Sequence, residues 1–399
     1  MQAPHHPSRP SPLSPLSRLS RLPRLLLCLT VGLANAAWAH TEYRVTVVGP
    51  ANSYATDINK NGVVTGNVYV NNTSPRGFLN RGSGVVYLGT LGGTSSDAIA
   101  INDKGQVLGQ WTTAAGQTRG FIYYAGTRRD IGVIPGRSTR FTDINNNGFI
   151  TAQGTVPDGE SGPRSFLRSP SGAYTDIGTL PFDKPIIYAN ALNDSNTIAG
   201  AVGPLVFPDQ PLRAFTWSKG VMADLGDFGW APNYGEAINE CGQITGSMSV
   251  LGVFRDRIAY LYNNARLINI DGRPAGTARD SAGAGINCHG HIVGSSDHLS
   301  GFIYRGRRMQ SLNAMIDPSG GWDIFSPQAI NDSGQIAANA MRKGVQYAVR
   351  LDLIRPMLAR APVPEGQEAA SLAADVVAPL SKAEAAAQAS EVVHPVRQQ

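Results

Sequence analysis

Several ingredients of familiar enzyme sites and membrane anchors are scarce in this sequence. Only three cysteines and seven histidines occur among 399 residues, and charged residues make up 16%. No Gly-x-Ser-x-Gly turn is present, and the glycine-rich stretch at 89–93 lacks the lysine and following helix of a phosphate-binding loop. The apolar stretch from Leu25 to Ala37 is well short of the roughly 20 residues that a spanning helix needs. These absences give no support to nucleotide hydrolysis, a serine-hydrolase elbow or a membrane span.

The excess of positive charge comes mostly from the first 39 residues. The whole chain has 34 basic and 29 acidic residues, but residues 1–39 hold four arginines and no acid, so the remainder has 30 basic residues and a net charge of +1. A positive start, a short apolar core and the small-x-small site Ala37-Trp-Ala39 predict a signal peptide over 1–39. We therefore expect a secreted or periplasmic protein with no stable membrane insertion after cleavage, and no nucleic-acid partner.

What the sequence does contain is a repeat, present seven times and anchored on an asparagine. The spacings between anchors are 43, 43, 48, 46, 48 and 44 residues. The seven anchors are Asn59, Asn102, Asn145, Asn193, Asn239, Asn287 and Asn331. An aliphatic residue precedes each anchor, and a glycine or, once, Asn196 follows three positions later. Because glycine and asparagine readily take positive φ, this pattern predicts a β-hairpin whose turn the anchor opens.

Two more strands complete each predicted repeat. A third strand is marked by an aromatic residue, and a fourth short run follows in most copies. The aromatic residues are Phe78, Phe121, Phe166, Phe215, Tyr260, Phe302 and Tyr347. Four strands in a period of this size predict an all-β, seven-bladed β-propeller of four-stranded blades, with a β-solenoid or a chain of small sandwiches as alternatives. The seventh repeat lacks a fourth strand, so residues 43–48 are predicted to supply it and close the ring.

The repeat resembles the bacterial extracellular HAF-repeat family. The likeness rests on Arg119-Gly-Phe-Ile122, Arg213-Ala-Phe-Thr216, Leu-Gly-Thr-Leu-Gly-Gly at 88–93 and Ile-Asn-Asp-x-Gly-Gln-Val at 101–107. The histidine of the family's His-Ala-Phe tripeptide is replaced throughout, by arginine in four copies. The resemblance covers roughly residues 43–352 and implies an exported repeat protein; it implies no reaction and no functional residues.

The predicted organisation is a signal peptide at 1–39, the repeat domain at 40–356 and a disordered Ala/Pro-rich tail at 357–399. Loops between successive repeats vary most, and two contain aromatic clusters. The predicted ligand contacts are Phe228, Trp230, Tyr234, Trp322 and Phe325. Such rings stack on sugars or anchor a protein partner; the alternative is that they fill the central channel or cap the core.

Sites for chemistry are weak in the sequence. Asp57 and Asp143 each begin a calcium-loop pattern, but Val68 and Gly154 stand where a twelfth-position acid is needed. Cys288-His289-Gly290-His291, with Asp297 and His298, is the densest group of possible metal ligands. His291 takes the position of Gln106, Gln243 and Gln335 in other repeats, which favours an ordinary polar strand residue. We therefore predict no metal, no cofactor and no assigned catalytic residue. A glycosidase site using Asp183, Asp227 or Asp323 remains an alternative.

Cys241 and Cys288 occupy adjacent predicted turns, and export makes a disulfide between them possible. The functional expectation is a binding or interaction module for an extracellular glycan or protein. The alternatives are a polysaccharide hydrolase or lyase and a structural envelope protein.

Overall fold

The structure is a computed structural model that describes residues 41–70, 74–155, 162–182, 184–205, 212–226, 233–249, 257–272 and 280–354. The predicted signal peptide and tail lie outside these residues. Where the chain is described, no helix has the length and apolar character to cross a membrane.

Each repeat forms four neighbouring antiparallel strands, and the whole described chain is β-structure with two short 3-10 helices. The first three repeats contain β2 Ser53–Ile58, β3 Val64–Val70, β4 Ser74–Asn80, β5 Val85–Tyr87; β6 Ser95–Ile101, β7 Val107–Thr112, β8 Thr118–Tyr124, β9 Thr127–Gly132; and β10 Ser138–Ile144, β11 Ile150–Thr155, β12 Arg164–Arg168, β13 Tyr174–Asp176. The next three contain β14 Pro185–Leu192, β15 Ile198–Pro204, β16 Arg213–Ser218, β17 Val221–Asp224; β18 Asn233–Ile238, β19 Ile244–Ser249, β20 Arg257–Asn263, β21 Arg266–Asn269; and β22 Ser281–Ile286, β23 Ile292–Ser296, β24 Ser300–Arg305, β25 Arg308–Ser311.

The outer strand of the seventh sheet is β1 Tyr43–Ala51, the first strand of the described chain. The seventh repeat contains β26 Trp322–Ile330, β27 Ile336–Arg342 and β28 Val345–Leu353, and β1 pairs antiparallel with β28. The sheet order is therefore β1-β28-β27-β26. The 3-10 helices Leu312–Ala314 and Pro318–Gly320 precede β26. Tyr43 is fully buried in the hydrophobic cluster of this sheet, so residues 300 positions apart share one core.

The first strands of successive repeats lie side by side. Strands β2, β6, β10, β14, β18, β22 and β26 each contact the next, and β26 also contacts β2. The sheets of the first two repeats are additionally joined by one parallel pairing between Arg76 and Ser96. Since strands alternate in direction within each sheet, the asparagine turns fall at one end of the sheet and the inter-repeat linkers at the other. We call these the turn end and the loop end.

The predicted hairpin turn is confirmed in all seven repeats. The residue three positions after each anchor has a positive φ, from 59° at Asn196 to 80° at Gly105. The aliphatic residue five positions after each anchor is no more than 1% exposed, as at Val64 and Ile336. Turn residues thus set the hairpin locally, and burial of the next strand fixes its register.

Small residues face the third-strand aromatic ring across the sheet. Gly109 pairs with Phe121, and a Cβ added at Gly109 would lie 2.3 Å from Phe121 Cζ. The seventh repeat departs from the sequence prediction, because the strand position equivalent to these rings holds Val349, paired with Ala338. Tyr347 lies two residues earlier and packs against Trp322 instead. In this register Tyr347 stands opposite Ala340.

Candidate functional site

The anchor asparagines form a continuous ring of hydrogen bonds at the turn end. In each repeat the side-chain amide Nδ2 donates to the backbone carbonyl of the next anchor, and Asn331 donates to Asn59. The seven N···O distances run from 2.8 to 3.3 Å. Each Oδ1 accepts from the backbone N–H four residues on, so one side chain organises its own turn and links it to the neighbouring turn. We call this the asparagine ring.

A second set of contacts surrounds the asparagine ring. The residue after an anchor uses its side chain to accept from the backbone N–H of the matching residue in the preceding repeat. Lys60 donates in this way to Asp103, and Asp194 to Glu240. Asp103 in turn donates to Asn146. Most carboxylates at this end are thereby occupied by backbone donors of an adjacent repeat.

Asp57 and Asp143 also link neighbouring repeats at the turn end. Asp57 accepts from the backbone N–H groups of Ile58 and Ile101, at 2.7 and 2.8 Å. Asp143 accepts from Ile144 and Leu192. Burial raises the pKa of Asp57 to about 7 and that of Asp143 to about 6. Each also lies near other acidic groups, and the charge of Asp143 raises the pKa of Asp57 further. Both carboxylates stabilise contacts between repeats.

The cysteine and histidine cluster also lies at the turn end. Cys241 and Cys288 are both free and exposed. The pKa of the Cys288 thiol is raised to about 11, mainly because the folded chain removes part of its solvent and in smaller part by Asp332 and Cys241. The two thiols are therefore close to each other. The disulfide stays a prediction, which counting free thiols in the denatured protein tests.

The two turn-end histidines stack on each other. The rings of His289 and His291 are 5.7 Å apart. Burial lowers the pKa of His291 to about 4, so its imidazole is neutral at pH 7. Within the described ranges, no three His, Cys, Asp or Glu side chains converge as a metal site.

The predicted aromatic contacts separate into different places. Tyr234 lies half-buried in β18, where its backbone carbonyl accepts from the Tyr260 hydroxyl. Trp322 is half-buried, with the Arg342 guanidinium 4.9 Å from its ring centroid. Phe325 lines a polar cleft of about 300 Å³ together with the Arg257–Asp280 ion pair. Phe228 and Trp230 lie outside the described residues, so the set as a whole stays a prediction.

Of the three aspartates predicted for the alternative glycosidase site, one lies within the described residues. Asp323 is exposed, and its Oδ1 accepts from Asn313 Nδ2 at 2.9 Å. Asp183 and Asp227 lie outside the described residues. Nothing in the surroundings of Asp323 singles it out as an acid or base, since a side-chain amide fixes it at the surface.

One cleft at the loop end spans three repeats. It encloses about 670 Å³ between the β7–β8 loop, the β9–β10 linker and the end of β11, with Tyr188 of β14 along its side. Its charged lining residues are Arg119, Arg137 and Arg140. The linker at 135–140 is one of the variable loops between repeats, and the sequence alone assigned it no role. The available signal was two arginines in six residues with no acid between them. We call this the arginine cleft.

Uncharged hydrogen-bonding groups surround these arginines. The lining side chains include Gln117, Ser138, Thr139, Gln153 and Thr155. Thr139 is buried, and its hydroxyl accepts from Ile134 N–H at 2.9 Å, which fixes the linker over β10. The cleft therefore combines positive charge, amides and hydroxyls on a rigid sheet edge, which is a surface suited to a polar, acidic ligand.

Comparisons with known proteins bear on the fold alone. No protein-family model matches the chain, and no curated protein matches it. Among solved structures, a puromycin hydrolase mutant complexed with PGG is 11% identical over 79% of this chain and 55% of its own, with a TM-score of 0.51. YCF48 bound to D1 peptide is 10% identical over 81% of this chain and 98% of its own, at a TM-score of 0.49. The acylaminoacyl peptidase of Pyrococcus horikoshii is 11% identical over 72% of this chain, at 0.48.

This chain spans 49% of the length of the acylaminoacyl peptidase. The similar structures are β-propeller proteins, and the repeated four-stranded antiparallel sheets have the same architecture. The predicted all-β, repeat-built propeller fold is confirmed at that level.

Proposed function

We propose that this chain is an exported, closed seven-bladed β-propeller that binds an extracellular glycan at its loop end. The observation that carries the binding role is the arginine cleft, a space of about 670 Å³ lined by arginines and other hydrogen-bonding side chains from three repeats. Clefts of this size with a few convergent polar groups are typical of ligand sites. The turn end contrasts with it, because each anchor asparagine there is hydrogen-bonded both within its own turn and to the next repeat.

The closed seven-bladed ring is supported by two contacts between the ends of the chain. Asn331 donates to the Asn59 carbonyl, and Tyr43 pairs with Leu353 across β1 and β28. Closure removes the exposed sheet edges that an open array would leave. Deletion of residues 43–48 should lower the melting temperature of the whole domain in one cooperative transition. An unchanged melting temperature would contradict closure by this strand.

Export and family membership are supported by sequence features. The charge and apolar pattern of residues 1–39 suits a signal peptide, and the repeat resembles the HAF-repeat family. Expression with the native N-terminus in a Gram-negative host, followed by cell fractionation, tests export. We expect the mature protein in the periplasm or medium, and retention of the uncleaved chain in the cytoplasm would contradict export.

Glycan binding is tested by applying the purified full-length protein to an array of bacterial, plant and animal glycans. Reproducible binding that is lost on thermal unfolding supports the proposal. A blank array, followed by specific cross-linking of a surface or secreted protein, would favour the protein-binding alternative. Release of reducing sugar from any bound polysaccharide would instead favour the hydrolase alternative.

A further inference from the structure

The arginines of this protein differ in whether a carboxylate lies close enough to neutralise the guanidinium charge. Those at the start of several third strands are neutralised by an aspartate on the fourth strand. The ion pairs are Arg119–Asp130 at 2.8 Å, Arg164–Asp176 at 3.0 Å and Arg213–Asp224 at 2.9 Å. Within the described part of the chain, Arg137 and Arg140 have no carboxylate within ion-pair distance. Both of these arginines line the arginine cleft.

Arg137 is held in place by packing. Its side-chain stem lies against Gly154, where an added Cβ would come within 2.8 Å of Arg137 Cδ. Its guanidinium carbon lies 5.3 Å from the centroid of the Phe166 ring. The Nη1 atom is buried and has no hydrogen-bond partner among the described residues. A buried donor without an acceptor costs free energy, and an anion in the cleft would remove that cost.

Arg140 provides a second charge near the first. It lies on β10, three residues after Arg137, and is exposed. Its positive charge also acts on Glu236, opposing the rise in the pKa of Glu236 that burial causes. The two guanidinium groups therefore present positive charge from the linker and from the first strand of one repeat.

The uncharged lining points to a sugar chain as the carrier of the anion. The exposed amide of Gln117 and the hydroxyls of Ser138 and Thr155, which bond to each other, line the cleft as hydrogen-bonding groups for sugar hydroxyls, and the half-buried ring of Tyr188 lies along its side. Gln153 is buried, and its Nε2 donates to the Ala189 carbonyl. These polar side chains outnumber the aliphatic lining residues. An acidic peptide would meet the same two charges, so a poly-glutamate probe is included in the test below.

We propose that the arginine cleft binds the acidic groups of a carboxylate- or sulfate-bearing glycan, with Arg137 and Arg140 as the specificity-determining contacts. This inference rests on the proposed glycan-binding function and narrows it to anionic chains. Guanidinium groups form paired, charge-assisted hydrogen bonds with carboxylate and sulfate oxygens. Neutral glycans of the same length lack these contacts and leave the arginines unmatched.

The test is isothermal titration calorimetry of the full-length protein with four probes, each a chain of six sugar or amino-acid units. These are an oligogalacturonate, a sulfated heparin fragment, a neutral gluco-oligosaccharide and a poly-glutamate peptide. We expect binding of one or both acidic glycans, weaker binding at higher salt, and at least tenfold weaker binding of the neutral glycan. Comparing the two acidic glycans distinguishes carboxylate from sulfate.

Variants locate the site. Arg140→Gln and Arg137→Gln should each weaken acidic-glycan binding about tenfold, which is the effect of losing one charge-assisted contact. Arg129→Gln, an exposed arginine on the outer strand β9, removes the same charge and should leave affinity unchanged. If circular dichroism shows that Arg137→Gln folds poorly, the test rests on the affinity of Arg140→Gln, because Arg140 is exposed.

Three results would overturn the inference in distinguishable ways. Equal affinity for neutral and acidic glycans, unaffected by either variant, would leave glycan binding standing and refute the anionic subsite. Acidic-glycan binding that Arg129→Gln weakens as much as Arg140→Gln would mean diffuse charge attraction instead of a site. Binding of poly-glutamate alone, or of none of the four probes together with a blank glycan array, would refute both this inference and the proposed function.

Discussion

The two ends of the sheets use polar residues in opposite ways. At the turn end, each anchor asparagine is buried and both ends of its amide are hydrogen-bonded, one within its turn and one to the next repeat. At the loop end, Arg137 has a buried nitrogen without a partner and Arg140 is exposed without an ion pair in the described chain. The turn end repeats in every unit, whereas the arginine cleft is built from residues that do not recur between repeats.

This difference separates what holds the molecule together from what is available to a ligand. A buried amide that is fully hydrogen-bonded contributes to specificity of packing and has little left to offer a partner. An incompletely paired guanidinium on a rigid sheet retains its capacity to bind. Substitutions at the turn end should therefore change stability, and substitutions in the cleft should change binding.

The largest expected effect is at the pairing of β1 with β28, which joins the first and last strands of the described chain. Tyr43→Ala removes a fully buried ring from the β1–β28 sheet and should cost about 3–5 kcal/mol in the free energy of unfolding. Urea unfolding followed by circular dichroism measures it. Val47→Ala, on the same strand but 46% exposed, is the matched control and should change stability by less than about 0.5 kcal/mol.

Tyr43→Phe sharpens the same comparison. The Tyr43 hydroxyl is buried without a hydrogen-bond partner in the described chain, and burial raises its pKa to about 12. Removing only the hydroxyl should be neutral or slightly stabilising. A loss as large as that of Tyr43→Ala would mean that the hydroxyl, and not the packing of the ring, matters at this joint.

The asparagine ring should show the next largest effect. Asn102→Ala leaves the Gln106 N–H without its acceptor and removes one of the two donors to the Asn145 carbonyl, which keeps the Gly148 N–H. At about 1–3 kcal/mol for an unpaired group and about 1 kcal/mol for the lost hydrogen bond, a loss of roughly 2–4 kcal/mol is expected in urea unfolding. Lys104→Ala, an exposed residue of the same turn, is the control and should have almost no effect.

Asn102→Asp distinguishes the two roles of the side chain. It keeps an acceptor for Gln106 N–H but cannot donate to Asn145, and it places a carboxylate in a buried position. We expect strong destabilisation at pH 8 and a milder one at pH 4, because protonation restores a neutral group. Stability equal to wild type at both values would show that the link between repeats contributes nothing.

Much of this architecture was predictable because it is local. The left-handed residue, the hairpin and the buried aliphatic position all lie within five residues of an anchor, where propensity and periodicity act. The asparagine ring was not predictable, since the acceptor of Asn102 lies 43 residues away and sequence spacing does not show which groups meet. Tyr347 was misplaced for a related reason, as cross-strand register decided which side chain filled the site.

The candidate site was harder to predict than the fold. The arginine cleft joins non-repeating residues of three repeats, so no periodic pattern marks it. Aromatic residues attracted attention by type, but Trp322 packs on Tyr347 within its own sheet. The informative quantity was whether each arginine had an acidic partner, and that depends on pairings such as Arg213 with Asp224 across neighbouring strands.

Two turn-end carboxyls should give the protein a measurable pH dependence. The pKa values of Asp57 and Asp143 are raised in the folded state to about 7 and about 6, from about 3.9 in an unfolded chain. The folded state therefore holds these protons more tightly, so their contribution to stability is greatest below pH 4. It declines as the pH rises through 6 and 7, and it is constant above about pH 8.

Urea unfolding at pH 5 and pH 8 measures this dependence. The loss over that interval should be on the order of 4 kcal/mol for the two carboxyls together, with the larger share from Asp57. Asp57→Asn with Asp143→Asn should abolish most of it, whereas Asp323→Asn, at the exposed loop end, should retain it. A flat profile in the wild type would mean that the two carboxylates are well stabilised by their backbone donors alone.

The smallest effect is expected for an arginine whose charge is already met. Arg213 is paired with Asp224 near the surface, at 2.9 Å, and exposed pairs of this kind contribute roughly 0–1 kcal/mol. Arg213→Gln should therefore change urea unfolding by less than about 1 kcal/mol and leave acidic-glycan affinity unaltered. Because this variant removes the same charge as Arg140→Gln, the pair isolates the effect of position from that of net charge. Equal loss of affinity in both would mean that an ion-paired arginine attracts ligand as well as a free one, and the contrast between occupied and available polar groups would fail.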